Sequence, residues 1–291
     1  MAVVVLRPSG LGVLTEATRL AVWGDPIAHS RSPELHAAAY RVLEREWTYE
    51  RRQVTASGFD EALGSLDASW RGLSLTYPLK SAAFAASAQR DRRAELTGAV
   101  NTLLLGRDGP RGFNTDVGGI VRALEDEGLE EVPAARILGA GATATSALVA
   151  LADLGARRVE VMVRRPGAAA PLAALGERLG VLVTAASLGD GVQGAVPLTI
   201  ATLPGGASLP DDAANELAAS GGLLLDVVYG TWPTPLAAAW ERTGGRALSG
   251  LGMLLHQAVL QVRIFTAGSA DEALPDEAAV LAAMRRAAVG D

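Results

Sequence analysis

A short apolar stretch, Arg136-Ile137-Leu138, runs directly into Gly139-Ala140-Gly141-Ala142-Thr143-Ala144, which opens an apolar helix reaching Leu154 and closed by Gly155; a strand from Val159 to Val163 follows. Few local patterns restrict a fold as strongly. Two parallel strands joined through a helix must cross over right-handed and lay that helix on the sheet. The glycines let backbone N–H groups close on a pyrophosphate at the helix N-terminus. The segment predicts an α/β fold with a doubly wound, Rossmann-type sheet that binds a dinucleotide. The residues after Val163 choose which one. An NAD site usually places a carboxylate there for the ribose hydroxyls, whereas this chain has Arg164-Arg165-Pro166. Guanidinium groups suit a 2′-phosphate, so NADP is the expected cofactor, the alternative being a solvated arginine pair. One charge-assisted contact worth about 1.5–3 kcal/mol already gives roughly tenfold to a hundredfold preference.

The second constraint is a single residue. Of the 26 basic side chains, 25 are arginine and one is lysine, Lys80. Arginine stays protonated at any ordinary pH, while burial can bring a lysine into working range, so Lys80 is a candidate proton carrier. It follows Gly72-Leu73-Ser74-Leu75-Thr76-Tyr77-Pro78-Leu79, read as a strand over 72–77 that places the Ser74 and Thr76 hydroxyls on one face and Lys80 at its mouth.

Around these lie other expected elements. A strand over 18–23 precedes His29-Ser30-Arg31-Ser32-Pro33, where Ser32 suits a helix N-cap and Pro33 the first helical turn. The helix end and two hydroxyls suit a carboxylate, with plain capping as the alternative. A strand over 47–54, helices over 58–66, 81–88 and 90–96, and a hairpin with arms at 103–105 and 112–116 come next. The hairpin brings Asn101 and Asp116 onto neighbouring arms, as ligand contacts or as turn formers. A helix over 117–127 leads to the dinucleotide segment. Strands over 198–201 and 223–228 then end at Thr202-Leu203 and Tyr229, which should open on the cofactor crevice. A strand at Leu248 leads to a long helix from Gly250 through Thr266, with Met253 and Gln257 on one face, Gln257 being a ligand contact or a buried structural amide. An amphipathic helix over 276–289 ends the chain.

The 291 residues suit two domains: a substrate-binding α/β domain over 1–116, with 1–19 as an appendage carrying a short β-like run from Ala2 to Leu6, completed by C-terminal helices over 250–291, and an NADP domain over 117–249. No apolar run reaches the roughly 18–20 residues needed to cross a bilayer. With no cysteine there is neither a disulfide nor a thiolate site, and a cytoplasmic address is expected. Three dispersed histidines argue against a metal site, and a formal charge of −6 argues against nucleic acid as a partner. A small-molecule substrate and a monomer or homodimer remain.

Taken in order, seven blocks resemble the shikimate dehydrogenase family over nearly the whole chain from about Leu20. They are Gly24-x-Pro26-x-x-His29-Ser30-x-Ser32-Pro33-x-x-His36, Thr76-x-Pro78-x-Lys80, Gly98-Ala99-Val100-Asn101-Thr102, Asn114-Thr115-Asp116, the Gly139 loop, Tyr229 with Thr234-Pro235-Leu236, and Gly250-x-Gly252-Met253-Leu254-x-x-Gln257. The resemblance implies reversible NADPH-linked reduction of 3-dehydroshikimate to shikimate, in the route to chorismate and the aromatic amino acids. It implies that Ser30, Ser32 and Tyr229 bind the substrate carboxylate, that Ser74, Thr76, Asn101, Asp116 and Gln257 line the ring, and that Lys80 and Asp116 form the catalytic pair. The cofactor would meet Gly139, Ala140, Gly141, Ala142, Thr143, Ala144, Arg164, Arg165, Thr202, Leu203, Gly250 and Met253. Three positions depart from the family pattern. Ser74 stands where many relatives have Asn, Phe113 replaces an acidic residue, and Val163-Arg164-Arg165 replaces Asn-Arg-Thr; the first two bear on substrate breadth, the third on NADP preference. A quinate or aminoshikimate dehydrogenase on the same scaffold, and a non-catalytic nucleotide-binding regulator, are the rival readings.

Overall fold

A computed structural model describes residues 18–189, 191–192, 194–220 and 222–289; the expected run from Ala2 to Leu6 lies outside them. The first half builds a six-stranded sheet from β1 (Arg19–Gly24), α1 (Ser32–Val42), β2 (Thr48–Gln53), α2 (Phe59–Gly64), β3 (Trp70–Leu75), α3 (Lys80–Ala86), β4 (Gln89–Arg90), α4 (Arg92–Thr97), β5 (Thr102–Leu104) and β6 (Arg111–Phe113). Strand order is β2-β1-β3-β5-β6-β4. β1 pairs parallel with β2 and β3, whereas β5 runs antiparallel to β3 and β6. Composition explains the placement. β3 is buried at every position, while the outer strand β2 carries Glu50, Arg51 and Arg52 on a half-exposed edge, which discourages pairing with another chain.

The second half follows α5 (Asp116–Glu125) with β7 (Ala134–Leu138), α6 (Ala142–Asp153), β8 (Arg158–Val163), α7 (Ala170–Leu179), β9 (Leu182–Ser187), β10 (Leu198–Ala201), α8 (Asp211–Ala219), β11 (Leu223–Asp226), α9 (Pro235–Arg242) and β12 (Ala247–Ser249). Its order, β12-β11-β10-β7-β8-β9, is parallel throughout, the doubly wound arrangement expected from the glycine loop. The helices α7 and α8 and the outer strand β9 have no counterpart in the sequence reading. α10 (Leu251–Ala267) and α11 (Glu277–Val289) then return to the first sheet. α10 belongs to two cores: Met253 packs with Val117, Ile120 and Leu148 of the second unit, and Leu255, Val259 and Phe265 pack with Leu35 of α1 and Met284 of α11. Arg71 of β3 donates to the carbonyls of Phe265 and Thr266, placing a cation at the C-terminal end of α10.

Several expected boundaries move: the hairpin arm expected over 112–116 ends at Phe113, so Asp116 opens α5 instead of lying on a strand, and β11 stops at Asp226. β3 stops at Leu75, so Thr76 and Tyr77 lie beyond the ladder, and the next helix begins at Lys80 itself. α1 begins at Ser32, with Arg31 at the N-cap position and no side-chain cap. Ser32 is therefore not the cap. Its N–H instead donates to Ser30 Oγ at 3.3 Å, and Ser30 Oγ donates to Ser32 Oγ at 3.2 Å.

Candidate active site

Where β3 gives way to α3, the Lys80 side chain leaves the first turn and meets Asp116, the first residue of α5. Asn114 prepares that carboxylate: its Oδ1 accepts the N–H groups of Asp116 at 3.1 Å and Val117 at 3.4 Å, closing the end of α5 from just outside it. Lys80 Nζ donates to Asp116 Oδ2 at 2.5 Å, and Asn101 Nδ2 donates to Asp116 Oδ1 at 2.9 Å. Both oxygens are thus held. The lysine and aspartate side chains are 14% and 8% exposed, which leaves the ammonium reachable yet poorly solvated. Asn101 Oδ1 accepts from Thr115 N and from the Thr102 hydroxyl, each at 2.9 Å, which fixes the amide with its nitrogen toward Asp116. The Thr115 hydroxyl reaches Gln257 Oε1 at 3.5 Å, and Gln257 Nε2 donates to the Leu254 carbonyl. Lys80, Asn101, Asp116 and Gln257, four residues singled out from sequence, therefore form one connected cluster.

A second cluster joins the serines. Tyr49 of β2 donates to Ser74 Oγ at 2.7 Å. Burial holds its phenol well above the usual tyrosine range, so it keeps its proton. Ser74, itself buried, donates to Gln261 Oε1 at 2.7 Å. Tyr229 comes from beyond β11, in the second unit, and packs on the core of α1, α10 and α11. Burial raises its phenol, partly offset by the charge of Arg31. Thr76 lies half-exposed past the end of β3, its N–H donating to the Trp23 carbonyl at 2.9 Å. Two members of these clusters, Tyr49 and Gln261, escaped the sequence reading. Gln261 had a signal: it lies one helical turn beyond Gln257 and is the second amide on an otherwise apolar face.

The dinucleotide segment is arranged for phosphate. Gly139 has φ of 110°, and a Cβ there would lie 2.7 Å from Thr202 Oγ1, so backbone and neighbouring strand end approach as only glycine permits. Gly141 sits at the N-cap of α6, with Ala142 exposed beside it and Thr143 half-buried. Arg164 and Arg165 are exposed at the end of β8, with no side-chain hydrogen bond or ion pair among the described residues. A helix N-terminus plus two uncommitted guanidiniums fits a dinucleotide bearing a third phosphate. Two expected contacts are packed into the core. Ala144 is fully buried in the core, where its small size lets α6 pack on the sheet, and Met253 is 8% exposed in the same core. Thr202 donates its hydroxyl to the Leu138 carbonyl at 2.9 Å, and Leu203 packs half-buried against the core beneath α8 and α9. At Gly250 a Cβ would lie 2.1 Å from the Val227 carbonyl oxygen, so this turn packs on the segment after β11 as only glycine allows, and its N–H donates to the Val228 carbonyl at 2.9 Å. Among the described residues, no group of three or more His, Asp or Glu is placed to hold a metal ion, and no helix is long and apolar enough to cross a membrane.

Comparison with known proteins points one way. Residues 22–103 match the model of the shikimate dehydrogenase substrate binding domain. The NADP(+)-type shikimate dehydrogenase of Methylobacterium radiotolerans is 39% identical over 264 residues, covering 83% of this chain and 88% of that one. Among solved structures, shikimate dehydrogenase of Mycobacterium tuberculosis superposes with a TM-score of 0.81 at 41% identity, covering 92% of this chain and 98% of the other. Shikimate 5-dehydrogenase of Thermus thermophilus, in complex with NADP(H) and shikimate, superposes with a TM-score of 0.76 at 32% identity over 92% of this chain and 99% of its own.

Proposed function

Because this chain belongs to the shikimate dehydrogenase family, we propose that it interconverts 3-dehydroshikimate and shikimate with NADP(H), and that Lys80 and Asp116 manage the proton. The observation that carries the site assignment is the 2.5 Å contact between Lys80 Nζ and Asp116 Oδ2, with Asn101 on the other carboxylate oxygen.

The cofactor, held by the Gly139–Thr143 turn and by Arg164 and Arg165, supplies the hydride when bound. On the protein side, the reacting carbonyl oxygen gains charge in the reduction direction, and the Lys80 ammonium is the group that stabilises that charge and gives up a proton to it. In oxidation the neutral amine takes the proton back. Asp116 keeps the ammonium aimed through Oδ2, while Asn101 prevents the carboxylate from rotating away. Ser30 and Ser32, helped by Tyr229, bind the substrate carboxylate; Thr76 and Gln257 take the ring hydroxyls. We place the enzyme in the cytoplasm, on the route to chorismate and the aromatic amino acids, as a monomer or homodimer acting on a small molecule.

Shikimate is favoured over quinate because Ser30 and Ser32 are kept as a pair, their hydroxyls 3.2 Å apart, which fits a substrate with no further hydroxyl beside its carboxylate. Initial rates with shikimate and quinate, each with NADP and NAD, test this. Shikimate with NADP should give the highest kcat/KM. Equal or better turnover of quinate would reject the substrate assignment, and no turnover of either would reject the enzyme.

A further inference from the structure

Gln261 of α10 is 2% exposed and spends all of its hydrogen-bonding capacity inside the protein. Its Nε2 donates to the Asn101 carbonyl at 3.3 Å and to Thr102 Oγ1 at 3.1 Å; its Oε1 accepts from Ser74 Oγ at 2.7 Å and faces His36 Nε2 at 3.2 Å. A backbone carbonyl can only accept, so the amide nitrogen must face Asn101 and the oxygen must face Ser74. His36 then carries its proton on Nε2 and accepts the Tyr40 hydroxyl at Nδ1, 2.9 Å away. Burial pushes its imidazole down to about 3, so it stays neutral at working pH.

That fixed amide sets a direction for everything beyond it. Thr102 Oγ1 receives the Gln261 N–H, so its own proton turns to Asn101 Oδ1, 2.9 Å away. With that oxygen committed to the Thr102 hydroxyl and to the backbone N–H of Thr115, Asn101 offers Nδ2 to Asp116, which holds Lys80. On its other side Gln261 takes the Ser74 proton, so Ser74 can accept the Tyr49 hydroxyl. A serine hydroxyl has one proton, and here it is committed inward. We infer that Gln261 is a positioning residue for the reaction: through Thr102 and Asn101 it orients Asp116, and through Ser74 it fixes a ring-lining hydroxyl and the Tyr49 phenol bonded to it, coupling two parts of the substrate site. This rests on Lys80 and Asp116 being the reacting pair.

The test compares the full-length enzyme with Gln261→Glu, Gln261→Met, Thr102→Val, Thr102→Ser and the Gln261→Met/Thr102→Val double variant, in shikimate and NADP. Gln261→Glu keeps the shape but cannot donate to Thr102. Gln261→Glu, Gln261→Met and Thr102→Val should each lower kcat roughly tenfold, the scale of one hydrogen bond to a charged group, raise KM for shikimate, shift the pH profile of kcat and leave KM for NADP unchanged. The double variant should be no slower than the slower of its two singles, because both cut one chain. Thr102→Ser, which keeps the hydroxyl, should retain most of the activity. Independent, additive losses would overturn the inference. So would variants that melt earlier but keep kcat and the pH profile, since Gln261 would then only pack. If Gln261→Met does not fold, Gln261→Glu and the Thr102→Val against Thr102→Ser comparison decide the matter on the same readouts. An inactive wild-type enzyme would instead refute the underlying functional reading.

Discussion

Replacing Lys80 with Ala separates chemistry from binding more cleanly here than in most dehydrogenases, because no other lysine can stand in for it. Loss of a positioned general acid lowers turnover by about a hundredfold to ten-thousandfold, or roughly 3–5 kcal/mol of transition-state stabilisation. Stability should fall less. Removing one partner of a fully buried ion pair costs about 3–5 kcal/mol, but Asp116 keeps the Asn101 Nδ2 bond at 2.9 Å and retains some exposure, so the loss should sit below that range. Single-turnover rates with saturating substrate read the chemical step, cofactor titration by fluorescence reads binding, and thermal melting reads the fold. The expected result is a collapsed rate, NADP affinity within a few-fold of wild type, and a modest drop in Tm. Asp116→Asn should give a smaller rate loss, and the double variant should be little worse than Lys80→Ala, since the two act as a unit. Turnover by Lys80→Ala within about tenfold of wild type would be too large for the loss of a general acid and would remove Lys80 from the mechanism; Lys80→Arg should also be slow, because a guanidinium does not release its proton.

Neutralising Arg164 and Arg165 together should raise KM for NADP about tenfold to a hundredfold with little change for NAD; steady-state kinetics with both cofactors decides, and parallel changes would exclude a 2′-phosphate site. His36, neutral in the fold with its imidazole pushed down to about 3 by burial, is protonated in the unfolded chain below its ordinary value near 6.5. The unfolded state therefore binds the extra proton as pH falls, and this one residue should cost about 2 kcal/mol of stability between pH 7 and pH 5; urea melts of wild type and His36→Gln at both pH values should show a shallower loss in the variant.

What the sequence discloses about this fold is local or compositional. The strand, glycine loop and helix around Gly139 announce themselves because the turn needs glycine where φ reaches 110°. Lys80 is conspicuous against an arginine background, and Asp116 because it closes Asn-Thr-Asp at a hairpin arm. Nothing comparable marks Gln261, whose hydroxyl partner Ser74 lies 187 residues away, or Tyr49, which reads as an ordinary strand residue until its hydroxyl is found against Ser74. Ala144 and Met253 mislead for the opposite reason. Their neighbours in sequence face the crevice, but helical periodicity turns these two toward the core. β9 was invisible because a half-exposed outer strand, Leu182-Val183-Thr184-Ala185-Ala186-Ser187, lacks a clear alternation.

The same polar interior narrows which groups can move a proton. Burial keeps the Tyr49 phenol protonated and raises that of Tyr229, while His36 is neutral and engaged on both ring nitrogens. The remaining lining groups, Ser30, Ser32, Ser74, Thr76, Asn101 and Gln257, are hydroxyls and amides that donate and accept without changing charge. Of the groups gathered at the site, Lys80 and Asp116 form the ion pair, Nζ to Oδ2 at 2.5 Å. On the proposed mechanism the kcat pH profile carries a limb from the general acid held by this contact. A substitution that breaks the contact, Asp116→Asn, should therefore move that limb as well as lower its plateau. One that leaves the contact intact while removing a hydroxyl, such as Ser30→Ala, should raise KM for the substrate and leave the limb where it was. If Ser30→Ala shifted the limb as far as Asp116→Asn does, a further titrating group would have to be at work beside the lysine and its carboxylate.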